Sequence, residues 1–171
     1  KGLGVKKIEE AGAGDVVITF DDGEMNNFQL ALPVLKTHHF PAYFFVITKR
    51  VGRPGYVGME DMREMIRQGM IIGSHGMSHE ILTNLKDTQI REELSASKQY
   101  LERNLGIVIQ DLSIPRGFCN DKVLGMAYAA GYKNVFISDR TKDLANTQCH
   151  SRVAVKKSWD IKRFELALDR Q

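Results

Sequence analysis

Cysteine, proline and tryptophan are scarce in this chain, and no part of it is a long apolar run. Of its 171 residues only Cys119 and Cys149 are cysteines. Two residues so far apart exclude a Cys-x-x-Cys zinc or redox motif. They leave open a disulfide in an oxidising compartment, or two small buried apolar side chains. Nothing approaches the ~20 apolar residues of a membrane span, and no segment reads as a secretory signal. The chain begins at Lys1 rather than Met, which is compatible with a leader or anchor removed upstream. Neither sign of charge dominates: 24 Lys and Arg against 21 Asp and Glu leave +3. The longest basic runs are the pairs Lys6-Lys7, Lys49-Arg50 and Lys156-Lys157. They are not the dense stripe that nucleic-acid binding needs, so no nucleic-acid partner is expected. The ordinary apolar content and four prolines exclude disorder and fibrous repeats. No linker interrupts the chain, which reads as a single domain over 1–171, whole or as a piece of a longer protein.

What is present is an alternation of short apolar runs and amphipathic stretches. Val16 to Phe20, Ala42 to Ile47 and Met70 to Ile72 read as buried strands, and so do Asp111 to Ser113, Asn134 to Ile137 and Arg152 to Val155. Helices are expected over Asn27 to His38, around Met62, Met65 and Ile66, and over Asp87 to Asn104 with Gly106 as its stop. Two more are expected over Asp121 to Ala130 and Ile161 to Leu168, the last with Asp160 as N-cap. Strands alternating with helices argue for parallel β/α units. In such folds sites form at the carboxyl edge of the strands. Asp21-Asp22, Ser74-His75 and Pro115-Arg116-Gly117 all fall at that edge.

Those residues carry the chemistry. Two adjacent carboxylates are costly to bury ionised unless a cation neutralises one of them. A turn beginning at Asp22 would bring both into one cavity, one to hold a metal and the other to handle protons. Asp-Asp-Gly alone is also a common acidic surface turn. His75 and His79 stand at i and i+4, which on a helical face lets both rings bind one ion; either also fits a structural role. One Asp with two His leaves an open coordination position, the pattern of a catalytic zinc or similar divalent ion. Such an ion polarises a carbonyl and acidifies water, with the spare aspartate as general base.

With these residues the chain resembles the polysaccharide deacetylases of the NodB homology type, carbohydrate esterase family 4. The family's Thr-Phe-Asp-Asp-Gly is matched at Thr19 to Gly23, and its His-Ser/Thr-x-x-His by His75 and His79, with Gly76 in place of Ser or Thr. By that resemblance Asp21 is the catalytic base, and Asp22, His75 and His79 hold the metal. The family's Arg-x-Pro-x-Gly corresponds to Ser113 to Gly117. Its Pro and Gly are kept, but Ser113 replaces the Arg that orients the catalytic Asp. Arg116 is the candidate to supply a cation from another direction, and its backbone N–H the candidate oxyanion donor. A plain Pro-Gly turn with an exposed Arg is the alternative. The family's general-acid His, in a Leu-x-His motif, has no counterpart near Arg152 to Val155. His150, just before that expected strand, is the candidate acid, and Asp139 lies after the preceding strand.

The resemblance implies an α/β fold, a deformed (β/α) barrel of about seven parallel strands. It implies a metal-dependent hydrolase removing N-acetyl groups from an N-acetylglucosamine polymer, of exopolysaccharide or peptidoglycan type rather than chitin. The implied metal is zinc, with cobalt or nickel as alternatives, and the implied partner is the N-acetylated polysaccharide. The implied location is periplasmic, extracellular or at the cell envelope, with the cytoplasm as alternative. A saccharide-binding homologue with impaired catalysis and a xylan O-acetyl esterase are the rival functions. Trp159 and Tyr56 could stack on sugar rings or simply pack.

Overall fold

The computed structural model describes residues 4–12, 14–138 and 148–168. Its main sheet has six parallel strands in sequence order: β3 (Ile18–Phe20), β4 (Ala42–Val46), β5 (Ile71–Ser74), β6 (Asp111–Ser113), β7 (Asn134–Ile137) and β8 (Cys149–Ser151). Two short strands, β1 (Gly4–Val5) and β2 (Asp15–Val16), pair with each other beside it. The sheet therefore has six strands among the described residues, where about seven were expected. Asp139 lies outside the described residues. The helices are α1 (Leu32–Thr37), α2 (Met59–Arg67), α3 (Asp87–Leu105), α4 (Asp121–Ala129) and α5 (Ile161–Leu168).

Strand alternation sorts the core into two layers. On β4, Ala42, Phe44 and Val46 face the helices, while Tyr43 and Phe45 face the other way. The outer layer joins Ile72, Leu112, Val135 and Ile137 of the sheet to Met62 and Met65 of α2, Leu94 and Leu101 of α3, and Val123 of α4. The inner layer is aromatic. Phe45 and Phe136 meet at 5.1 Å between ring centroids, and Tyr43 and Phe136 at 5.5 Å. These rings stand on β4 and β7, three strands apart in the sheet order, so the sheet is curled into a partial barrel around them. Each such buried ring contributes roughly 1.5–3 kcal/mol. Gly73 makes the curl possible, since a Cβ there would lie 2.5 Å from the Phe45 ring and 2.9 Å from the Asp111 carbonyl. At the amino end of the strands, the Tyr43 hydroxyl accepts from the Ile8 N–H (3.0 Å) and donates to Glu9 (3.2 Å), so the leading segment stoppers the barrel.

Local signals explain the helix ends. Gly106, at φ 69°, closes α3 with its N–H on the Glu102 carbonyl. Asn120 caps α4 and Asp160 caps α5, each side chain accepting an N–H three residues on. The helix expected over Asn27 to His38 forms without a break as far as Thr37, its first part, Asn27–Ala31, being π-helical before α1. Two expectations are corrected. The expected strand over Val16 to Phe20 breaks at Val17. The last strand is Cys149–Ser151, not Arg152 to Val155. Its register pairs Ser151 with Ile137, the end of β7, and Val155 beyond it is 62% exposed. Cys149 packs against the outer core that contains Cys119, and no disulfide joins them.

Candidate active site

The carboxyl edge of β3 delivers two carboxylates to one place. Asp21 leaves the strand facing the barrel interior, and the chain then turns sharply: Asp22 has φ 72° and Gly23 φ 70°. The loop over 52–58 holds this turn, through the Val57 N–H on the Gly23 carbonyl (3.0 Å) and the Met25 N–H on the Gly55 carbonyl (2.8 Å). The turn lets neighbouring side chains that a continuing strand would send to opposite faces share a cavity.

The histidines arrive differently from the expectation. His75 and His79 are not on a helix: β5 ends at Ser74 and the chain from 75 to 81 is a loop. Left-handed conformations at Gly76 (φ 73°) and His79 (φ 69°) fold it back so that the rings lie 4.9 Å apart. Glu93, a buried carboxylate on α3, holds the loop in that shape. It accepts from the Met77 N–H (2.7 Å), the Ser78 N–H (3.0 Å) and the Ser78 hydroxyl. Glu93→Gln would turn one acceptor into a donor facing donors, at a cost of about 1–3 kcal/mol. The expected result is a melting temperature lower by about 2–10 °C and metal affinity lower by about 10–100-fold. Calorimetry and a zinc titration read both, and wild-type affinity in this variant would contradict the role given to Glu93.

The ligand atoms converge. Asp22 Oδ1 lies 3.3 Å from His79 Nε2 and 3.6 Å from His75 Nε2, and Asp21 Oδ2 lies 3.8 Å from His75 Nε2. His75 Nδ1 is 2.8 Å from the Ser113 carbonyl. The ring therefore donates there and turns a lone pair at Nε2 toward Asp22. Burial holds the pKa of His75 below its ordinary value, against the pull of Asp21 and Asp22. Burial, with the charge of a protonated His75, does the same for His79. Both rings are thus favoured as neutral ligands. Asp22 Oδ1 is buried and has no hydrogen-bond partner. A buried carboxylate oxygen left without a donor is costly, and a divalent cation between Asp22, His75 and His79 removes that cost. These three residues form a group that could hold one ion, with ligand atoms all within 4.8 Å of one another. Oxygen and nitrogen donors in this number fit zinc and its neighbours.

The other candidates fall in different places. Arg116 sits in the turn after β6 with φ 61°, and its side chain is exposed. Its charge acts on His79. The cation beside Asp21 is instead Arg152, a residue the sequence reading placed inside a strand and gave no role. Arg152 Nη1 reaches Asp21 Oδ1 and Nη2 reaches Asp21 Oδ2, both at 2.8 Å. Burial works to raise the pKa of Asp21, but Arg152, His75 and Ser113 together outweigh it and keep the carboxyl below its ordinary value. His150 lies within β8 rather than before it. Its ring packs on Phe136 at 5.2 Å, and the charge acting on it is Glu9, from the stopper at the other end of the barrel. Tyr56 takes a hydrogen bond from Arg50 (3.1 Å), and Arg163 lies over the Trp159 ring.

The curled parallel sheet, with an Asp-His-His cluster that could hold a metal ion and a cation-paired carboxylate at its carboxyl edge, defines a protein of the partial β/α-barrel class. More particularly, the chain belongs to the polysaccharide deacetylase family, whose sequence pattern matches residues 9–135. It is 36% identical over 118 residues to the putative polysaccharide deacetylase YxkH of Bacillus subtilis, covering 69% of this chain and 42% of that protein. It is 32% identical over 155 residues to the peptidoglycan-N-acetylglucosamine deacetylase of Bacillus cereus, covering 85% of this chain and 70% of that one. The Streptococcus pyogenes deacetylase PplD, solved in complex with acetate, superposes with a TM-score of 0.83 at 25% identity over 94% of this chain and 74% of that one. The chain thus spans less than half the length of the B. subtilis relative. No helix among the described residues is long and apolar enough to cross a membrane.

Proposed function

We propose that this chain hydrolyses N-acetyl groups on an N-acetylglucosamine-containing polysaccharide of the exopolysaccharide or peptidoglycan type, at the cell envelope. The observation that carries the proposal is the buried, unpartnered Asp22 Oδ1 between two neutral-favoured imidazoles, with the ionised Asp21 beside them. Asp22, His75 and His79 would hold a divalent ion, zinc foremost and cobalt or nickel as alternatives. When bound, that ion supplies Lewis acidity for a carbonyl and for water. Asp21 takes the proton of the water that attacks the acetyl carbonyl. The Arg116 N–H, in a turn whose φ is left-handed, donates to the oxygen that becomes negative. The carbon–nitrogen bond then breaks, the amine nitrogen takes up the proton that Asp21 accepted from the water, and acetate leaves. His150 is not given the acid's role, because its ring is held against Phe136 in the barrel interior. The names of the B. cereus and S. pyogenes proteins support the reaction class.

The test is acetate release from β-linked N-acetylglucosamine oligomers, peptidoglycan, chitin and acetylated xylan, with zinc, cobalt or nickel added. Release from the first two substrates is the expected result. Release from acetylated xylan alone would identify an O-acetyl esterase instead. One observation favours a second reading, a homologue that binds saccharide without cleaving it: His150, the sequence's candidate for the acid, packs on Phe136 and faces the charge of Glu9 instead. Oligomer binding with no acetate from any substrate would decide for that reading.

A further inference from the structure

We infer that Arg152 is the positioning residue of the proton acceptor, reaching across the opening of the barrel to fix Asp21 in one orientation. This rests on the reading of Asp21 as general base. Arg152 follows β8, and its N–H continues the ladder onto the Ile137 carbonyl at 2.9 Å. Asp21 follows β3, at the opposite edge of the six-stranded sheet. β3 and β8 each end the sheet, so this guanidinium bridges the two edges. Besides its two bonds to Asp21, it donates to Thr19 Oγ1 on β3 (3.1 Å), Ser113 Oγ on β6 (2.8 Å) and Ser138 Oγ after β7 (3.4 Å). Its carbon end lies over the Phe45 ring, 5.7 Å from the centroid. The side chain is only 13% exposed, and its Nε is buried without a partner. An arginine buried at that expense, with both terminal nitrogens aimed at one carboxylate, is specifying a geometry rather than covering a surface.

The arrangement counts out the carboxylate's acceptor positions. An ionised carboxylate offers about four lone-pair directions. Arg152 Nη1 takes one on Oδ1, Arg152 Nη2 one on Oδ2, and the Ser113 hydroxyl a second on Oδ2 at 3.1 Å. One remains, on Oδ1, to receive a proton. Ser113 also carries the carbonyl that His75 Nδ1 binds, so the same residue indexes the base and a metal-ligand candidate to β6. Without the fork, Asp21 is free to rotate about its side-chain bonds toward any cation held by Asp22 and the histidines. It would then become a fourth ligand and lose its place as acceptor. A residue that merely stapled the sheet edges would affect folding and nothing else.

Two measurements on the whole chain test this. In the acetate-release assay, Arg152→Ala is expected to lower kcat about 100-fold or more, as a misplaced reactive group does, with KM and bound metal unchanged. Added methylguanidinium should restore part of the rate. Arg152→Lys, which keeps the charge without the fork, should lose kcat selectively too, and it serves if the alanine variant does not fold. Unchanged kcat, or a loss seen only in KM or metal content, would overturn the inference. The second measurement needs no turnover. With cobalt bound, Arg152→Ala should alter the visible absorption spectrum as Asp21 reaches the ion, and should alter nothing further when Asp21 is already Asn. An Arg152→Ala spectrum equal to the parent's overturns the positioning role. If the parent releases no acetate but the cobalt response appears, the proposed function falls and the positioning role stands.

Discussion

Asp21→Asn is expected to bind metal as tightly as the parent, within about threefold, and to lose on the order of 10³-fold in kcat. The expectation follows from how the two neighbouring carboxylates divide the work. Asp22 points between the imidazoles, with an oxygen that no donor satisfies. Asp21 is turned away to Arg152 and Ser113, and its nearest ligand-type neighbour, His75 Nε2, is 3.8 Å away. Asparagine is nearly isosteric with the carboxylate, so the turn and the ligand group survive. It cannot accept the proton, and its amide nitrogen would face an Arg152 donor. The metal-free variant should therefore also melt lower, by about 2–10 °C for the 1–3 kcal/mol of one mispaired buried group. Isothermal titration with zinc and steady-state acetate release separate the two roles. Full activity in the variant, or loss of metal with loss of activity, would mean that the base and ligand assignments are exchanged or wrong.

What could be read from the chain alone, and what could not, divides along range. The inner and outer faces of β4 are written in the run from Ala42 to Val46, because strand alternation is a local rule. The turn at Asp21-Asp22-Gly23 is likewise local, and so is the start of β6 at Asp111. The histidine pair was found by spacing for a mistaken reason. The helical rule and a tight loop both bring i and i+4 together, and only the left-handed angles at Gly76 and His79 tell them apart. Glu93 reads as an ordinary charge on an amphipathic helix. Its burial on the same face as Ile90 and Leu94 is visible only once the histidine loop is known to pack there. Arg152 was missed because its partner is 131 residues away. The β-branched Val153 and Val155 drew the strand three residues late, onto a stretch that the sheet register leaves outside. A charged residue opening an otherwise apolar segment, in a chain where Ser113 stands in place of the usual Arg, was the one signal that could have pointed to it.

Metal should stabilise this fold measurably, and His75→Ala should abolish the effect. An ion at 100 times its dissociation constant adds about 2.7 kcal/mol to the native state. For a domain of this size that is a rise of roughly 5–10 °C in melting temperature. His75 is the ligand candidate with most to lose, being 2% exposed and fixed by the Ser113 carbonyl. Removing it should weaken zinc by more than the ~10–100-fold that follows from disturbing a residue behind a ligand, and acetate release should fall to background. Acidity should do reversibly what the mutation does permanently. Burial keeps the native pKa of both imidazoles below the ordinary value, so the native state takes up protons later than the unfolded chain as pH falls. The sign follows: this contribution to metal-free stability is complete above about pH 6.5 and is lost as pH drops below it. Zinc competes with the same protons, so the zinc-induced shift should persist at pH 6.5 and shrink only at lower pH. Thermal unfolding with and without zinc from pH 8 to pH 5 reads both trends. A shift that survives His75→Ala would place the ion elsewhere.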